Sequence, residues 1–356
     1  MIETKTGLVK RILSERPGLI EIEVDCEGLL SKAVVYEYMT GSVEPGNQVL
    51  LNATATTLGL GSGGYDMVMV NLDHPLASMT GKGHIMKMRY TPWQCRVLSV
   101  EEESSPYHQV MKEVDDLEQI PVLVGTLHSM LAPLCACLAD RGLRTAYVMT
   151  DGASLPIYWS RTVHDLKQKG LLLGTVTSGN AFGGDLEAVN VFSGLLAAKA
   201  ILKPDVIIVA MGPGIVGTGT AWGFTGVEQG ITLNAVDSLQ GTPIAIPRIS
   251  FSDPRPRHYG ISHHTMTVLS KVCKASVTVP LPMLNDERQE RIRQQLDEAE
   301  LADKHNLVYR DGSQVEDMLT KYSLKTTTMG RNLREDYEFF LALGAAAAVA
   351  SELVPN

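Results

Sequence analysis

A chain of 356 residues, 44% hydrophobic and 20% charged, is long enough for two or three packed units and too rich in apolar residues for disorder to dominate. Its 31 basic residues against 40 acidic ones leave a net charge of −9, which argues against a phosphate backbone, so no nucleic-acid partner is expected. Five cysteines, at Cys26, Cys95, Cys135, Cys137 and Cys273, are odd in number and irregular in spacing, as in a reduced compartment. Residues 1–11 lack an apolar signal core, and the longest apolar runs, at 206–211 and 345–350, fall far below the ~20 residues of a membrane span. The expectation is a soluble cytoplasmic protein with no membrane partner.

Residues 1–100 read as a small antiparallel β barrel. Stretches rich in Val, Ile and Leu at 8–13, 19–24, 33–38 and 48–51 are separated by turn formers, among them Arg16-Pro17-Gly18 and Glu44-Pro45-Gly46-Asn47. Leu19-Ile20-Glu21-Ile22-Glu23-Val24 alternates in part, as a half-buried strand should. Stretches at 65–72, 84–89 and 95–100 extend the pattern. Gly59-Leu60-Gly61-Ser62-Gly63-Gly64 is expected to make a hairpin or a bulge.

From residue 101 onward the pattern is α/β. Predicted strands at 121–124, 145–150, 171–176, 205–211, 243–249 and 276–279 alternate with helices at 127–139, 157–168, 185–202, 222–239 and 262–273. That alternation implies a doubly wound, mostly parallel sheet covered on both faces. Helical additions follow from about 281. Asn285 caps a helix to about 305, with Asp286 and Glu287 in its first turn. One more strand is read at 307–310, and a last helix begins near 335. The alanine-rich end of that helix suits close packing and, together with the β domain, offers apolar surface, so a homodimer is the expected assembly.

In such a sheet, ligands bind beyond the carboxyl ends of the strands. The segments that follow the predicted strands are rich in Gly, hydroxyl, amide and ionisable groups, whereas the opposite ends, such as Lys203-Pro204 and Arg141-Gly142-Leu143, are ordinary. Gly212-Pro213-Gly214-Ile215-Val216-Gly217 matches G-x-G-x-x-G directly after a strand and could turn backbone N–H groups, with Thr218, toward an anion. No acidic residue ends the next strand to hold a ribose, and the Lys-Ser/Thr ending of a P-loop is missing, so a generic anion site is preferred to a dinucleotide site. The plainer reading is close strand–helix packing. Asp253, Arg255, Arg257 and His258 lie on a loop stiffened by Pro254 and Pro256, where arginines can clamp a carboxylate or phosphate bidentately; the plainer reading is a solvated loop.

His263-His264 follow Ser262, a predicted N-cap, where the helix dipole lowers their proton affinity. Adjacent helical residues point about 100° apart, so at most one is expected to face a site. The spacing matches no zinc pattern, and no metal is assigned. Asp185, His258 and His263 are the candidate proton carriers, although Asp185 could simply cap the 185–202 helix. Asp151, Ser178 and Asn180 complete a ligand-binding set with Gly212, Gly214, Gly217, Thr218, Asp253, Arg255 and Arg257. Gly214, Gly217 and Thr218 are expected to face one cavity with Asp185, Arg255 and His258. His128-Ser129 opens a helix, but without a G-x-S-x-G elbow a hydrolase triad is a weak reading.

Several long segments together resemble a known family. They are Gly125-Thr126-Leu127-His128-Ser129, Val148-Met149-Thr150-Asp151-Gly152-Ala153, Asn180-Ala181-Phe182-Gly183-Gly184-Asp185 and its continuation to Asn190, the stretch from Ala210 to Thr220, and that from Arg248 to His258. Along its whole length the chain is similar to an uncharacterised bacterial domain-of-unknown-function family, number 3866. The resemblance implies a bacterial cytoplasmic protein and brings no activity, substrate, cofactor or catalytic residue with it. Three classes of function remain: an enzyme acting on a small anionic metabolite, a non-catalytic sensor using the same pocket, and a protein-interaction module built on the barrel. The polar loops disfavour the third.

Overall fold

The computed structural model describes residues 1–75 and 81–354. The chain divides into two compact units, one of Met1–Lys82 with Met88–Arg96 and one of Gly83–Lys87 with Val97–Asn356. Among the described residues, no helix is long and apolar enough to cross a membrane.

The first unit is a closed five-stranded barrel. Its strands are β1 (Thr4–Arg16), β2 (Leu19–Cys26), β3 (Leu29–Val35), β4 (Gln48–Asn52) and β5 (Tyr65–Asn71), in the order β1-β2-β3-β5-β4. Closure depends on the length of β1. Its first part, Thr4 to Leu8, pairs with β4, and the remainder, from Leu8 to Arg16, pairs with β2 through two register shifts that bend it. The β3/β5 pairing is parallel and the other ladders are antiparallel, a Greek-key arrangement of the OB type. Inward residues of the alternating strands, including Ile22, Val24, Val49 and Leu51, are fully buried, each contributing on the order of 1.5–3 kcal/mol of transfer free energy. The glycine-rich stretch at 59–64 is neither a tight hairpin nor a ladder bulge. It is part of the long hairpin connection between the adjacent antiparallel strands β4 and β5, which opens with a single helical turn, α1 (Thr54–Thr57).

The second unit is built on eight parallel strands: β6 (Pro121–Val124), β7 (Thr145–Thr150), β8 (Gly174–Thr177), β9 (Leu186–Glu187), β10 (Val206–Met211), β11 (Thr242–Ala245), β12 (Thr278–Pro282) and β13 (Asn306–Arg310). Their order is β9-β8-β7-β10-β6-β11-β12-β13, with every ladder parallel. The continuous apolar run Val206–Met211 is an interior strand with every residue buried, as its two-sided burial in a parallel sheet requires. One face is covered by α2 (Leu131–Asp140), α3 (Arg161–Gln168), α8 (Gln314–Lys321) and α9 (Tyr337–Glu352), and the other by α4 (Val191–Ala197), α5 (Glu228–Ser238), α6 (His263–Thr267) and α7 (Asp286–Glu298). The connection after β6 passes over one face and that after the adjacent β10 over the other. The carboxyl ends of this pair therefore form the switch point at which open α/β sheets hold ligands.

Three expectations change here. The helix predicted at 185–202 begins only at Val191, with Asn190 as its cap through a capping box; Asp185 instead precedes the short strand β9. The chain folds back along β8 before it turns helical, and nothing in residue type marks that return. The strand predicted at 243–249 ends at Ala245, and Ile249–Ser250 pairs antiparallel with Gly260–Ile261. The alanine-rich end of α9 offers no surface for self-association: the residues from Ala345 to Ala350 are 0–5% exposed. They pack inside the unit with α2 and β12, because small side chains let a helix approach closely. Gly344 meets the backbone of Gly312 so tightly that a Cβ there would strike its carbonyl.

Candidate functional site

Most of the residues proposed from the sequence fall into two groups, the second of which the glycine loop adjoins. The first sits where β7 and β8 end. Asp151 Oδ2 accepts the backbone N–H of Asn180 at 2.8 Å and lies beside Gly179. Ser178 is buried and donates to Met149 O at 3.4 Å, a framework role. Glu228, the first residue of α5, was not foreseen. Its carboxylate accepts from Thr150 Oγ1 and abuts Gly152. Burial pushes its carboxyl up to about 7, and the neighbouring Asp151 charge pushes the same way, while Thr150 opposes the shift. A carboxyl titrating near neutrality can give and take protons. Only the fold, by bringing residues 150–152 to the start of α5, reveals it.

The second group is basic and aromatic. Ser262 caps α6 by accepting from His264 N at 3.3 Å. His258 lies on the single 3-10 turn Pro256–His258. His263 and His264 both sit beside it, with ring centroids 4.9 and 5.1 Å from that of His258 and 4.2 Å from each other. Both rings of the pair thus stand beside one third ring, an arrangement that the spacing along a single helix does not announce. Helical spacing separates the two Cβ directions, but the third ring comes from the preceding turn and stands close to both. Burial holds the proton affinity of all three low, reinforced by the charges of Arg248, Arg255 or Arg257. His258 falls to about 3 and His264, also opposed by His263, to about 4.

Asp253 is fully buried and held well below the usual carboxylate range, first by its hydrogen bonds from Arg255 and then by the charges of Arg248 and Arg255. Arg255 spends its fork on this carboxylate, with Nε and Nη2 each donating at 2.8 Å, and Arg248 Nη2 donates to it at 2.8 Å. Arg331 lies 3.6 Å from Asp253 and 2.8 Å from Asp336, whose other oxygen accepts from Ser250. Asp253 and Arg255 thus brace the loop. Arg257 is exposed and, among the described residues, has no hydrogen-bonding or ionic partner. Its guanidinium carbon lies 3.6 Å from where a Cβ of Gly219 would stand, and a Cβ on Gly217 would lie 3.0 Å from the ring of His264.

The glycine loop therefore abuts this basic group. Gly212 is required where it stands, since a Cβ would strike Ser154 O. Thr218 N and Oγ1 both donate to Gly223 O, closing the loop on itself, and Phe224 stacks on His264 with centroids 4.0 Å apart. Gly214 is in the left-handed region at φ 105° with open space around it. No helix starts directly after Gly217; α5 begins at Glu228. The phosphate-on-helix geometry of a dinucleotide fold is thus missing here.

Asp185 belongs to neither group. Its carboxylate pairs with Lys167 and accepts from Thr175 N and Oγ1, both at 2.9 Å, at the amino end of β8. It shares no cavity with Arg255 and His258, because the parallel register sets residue 185 beside 175. His128 is buried between Tyr147 Oη at 3.1 Å and Ser160 Oγ at 2.6 Å. Ser160 caps α3, so this Ser–His contact is a packed framework. A separate groove of about 520 Å³ lies within the barrel unit, lined by Tyr38, Asn71, His74, Trp93 and Cys95 among others. It contains none of the residues above.

A family model described as a protein of unknown function, DUF3866, matches residues 32–347. No curated protein matches the chain.

Proposed function

The chain belongs to the DUF3866 family, and from the chemistry of its sheet edge we propose that it is an enzyme acting on a small anionic metabolite, phosphorylated or carboxylated. The anion is held where the 212–220 loop meets Arg257. One observation carries this reading: an unpartnered guanidinium lies over a glycine loop in a neighbourhood where Arg248, Arg255, Arg257 and Arg331 outnumber Asp253 and Asp336. A surplus of fixed positive charge beside a glycine loop suits an anion. Glu228, on the same edge, supports catalysis over passive sensing, since a carboxyl near its midpoint at neutral pH serves as acid or base. The odd number and irregular spacing of the five cysteines suit a cytoplasmic location.

Thermal-shift screening with inorganic phosphate, sugar phosphates, nucleotides and carboxylic acids tests the site, because a bound ligand raises stability by mass action. The expected result is a concentration-dependent rise for one anion class that Arg257→Ala abolishes. Equal responses in the two proteins would overturn the reading.

A further inference from the structure

We propose that His258, His263 and His264 bind a divalent transition metal of the zinc class through three imidazole nitrogens. Each residue offers a nitrogen within 4.8 Å of the other two. His258 and His264 are only 2% and 6% exposed. Nε2 of His263 and Nδ1 of His264 are buried with no hydrogen-bond partner among the described residues. Buried polar nitrogens without partners are costly, and a cation that accepts their lone pairs removes that cost.

The third ring is oriented for the same task. His258 Nδ1 lies 2.7 Å from Ser262 Oγ. When Nδ1 carries the proton and donates to that hydroxyl, Nε2 keeps a free lone pair, the arrangement in which outer partners orient metal-bound histidines. The opposite form, with Nδ1 accepting from Arg248 Nη1 at 3.3 Å, is the metal-free alternative. Tetrahedral zinc at 2.0–2.1 Å sets its nitrogens roughly 3.4 Å apart, so the rings close inward on binding. His263, the least buried of the three, leaves an entry path. Three imidazoles leave a further position open, as catalytic zinc sites do.

Nearby arginines oppose a cation. Arg248 and Arg255 are neutralised in part by Asp253, and the charge that remains dictates what completes the site. A metal bound by three neutral ligands beside Arg257 needs an anionic fourth ligand. Metal and anion should therefore reinforce each other's binding, and by linkage the factor is the same in both directions. The fourth ligand would be the anion of the proposed function, but the site itself rests on the histidines and stands without that reading.

The test uses the full-length chain after chelator dialysis, titrated with Zn²⁺ by calorimetry and with Co²⁺ by visible absorption. The expected result is one equivalent per chain, with the intense bands of four-coordinate cobalt. His264→Ala should abolish those bands, and His263→Gln should weaken binding at least about tenfold, with far-UV dichroism checking that each variant is folded. His263, being half-buried, keeps the test open if the His264 variant does not fold. Stoichiometric metal that neither substitution weakens, or no stoichiometric metal in the wild type, overturns the proposal. Inorganic phosphate separates the two readings. Metal bound without any effect of phosphate or of the carboxylic acids of the screen leaves this site standing and removes the anion site; an anion bound to a chain that takes no metal does the reverse.

Discussion

The two edges of the parallel sheet carry opposite electrostatics. At the amino edge, charges meet in separate pairs: Arg144 donates to both oxygens of Asp205 at 3.1 and 2.9 Å, Lys167 meets Asp185, and Lys199 lies 2.7 Å from Glu118. At the carboxyl edge, Arg248, Arg255 and Arg331 crowd around Asp253 and Asp336, Arg257 stands beside Gly219 without an ionic partner among the described residues, and Glu228 sits with its proton affinity raised. Paired charges in water neutralise one another and add little, whereas a surplus kept partly out of water does not dissipate. The comparison separates charge that finishes a surface from charge left available to a ligand.

The largest expected effect comes from removing the centre of the crowded edge. Asp253→Ala leaves Arg248, whose side chain is 5% exposed, without its carboxylate, and should cost about 3–5 kcal/mol in urea denaturation. Asp185→Ala at the other edge should cost less, about 1–2 kcal/mol, mainly through the hydrogen bonds lost from buried Thr175. Equal losses would erase the distinction between the edges.

Arg257→Ala sharpens the contrast through binding. Anion affinity should fall by about 1.5–3 kcal/mol, the usual worth of a hydrogen bond to a charged group, with the unfolding midpoint of the free protein unmoved. Arg144→Ala should leave that affinity as it was. An equal fall in the two variants, read by calorimetry with the best anion from the screen, would mean that general charge and not the site attracts the ligand.

The pH dependence of stability tests Glu228. Its carboxyl rises from an ordinary 4.5 to about 7 on folding, so the folded state binds the proton more tightly than the unfolded chain. Stability from this group is fully present below about 4.5 and is lost as pH rises toward about 7. The loss should be on the order of 2 kcal/mol, less than the full shift implies because the residue is only partly buried. Glu228→Gln should remove that slope, seen as urea midpoints at pH 5 and pH 8 that differ less than in the wild type. An unchanged difference would show that burial does not hold the proton there. The smallest effect is expected for Asp185→Asn, which keeps much of the hydrogen bonding to Thr175 and should leave both anion affinity and the pH slope unaltered.

What could be read from the chain depended on how local its cause was. Val206–Met211 declares a two-sided strand through its own composition, and the caps Ser262 and Asn285 act on N–H groups two or three residues away. Parallel strands deliver their loops to one edge, so the 212–220 and 253–258 loops could be read as neighbours, but the residues expected beside the glycines were Asp185, Arg255 and His258, whereas Arg257 and His264 are the ones that stand there. Asp185 was misplaced because its fate depends on a return along β8 that no short-range signal announces. Glu228 and Arg331 were missed for a related reason. A carboxylate becomes basic, and an arginine joins a cluster, only through neighbours dozens of residues distant. The grouping of His263 and His264 with His258 was not legible from the spacing within one helix, because the third ring comes from outside it.

The strand order has a consequence for synthesis. β6 is the first strand of its sheet to leave the ribosome, yet its neighbours β10 and β11 are encoded much later. Between Val124 and Val206 lie about 80 residues, so at ~5–20 residues per second β6 waits roughly 4–16 s for its first edge partner. During that interval Val122, Leu123 and Val124, all 0–1% exposed in the finished protein, have no sheet to enter. A nascent chain stalled before residue 206 should therefore be more prone to aggregate than one stalled after residue 245, when both edges of β6 can close.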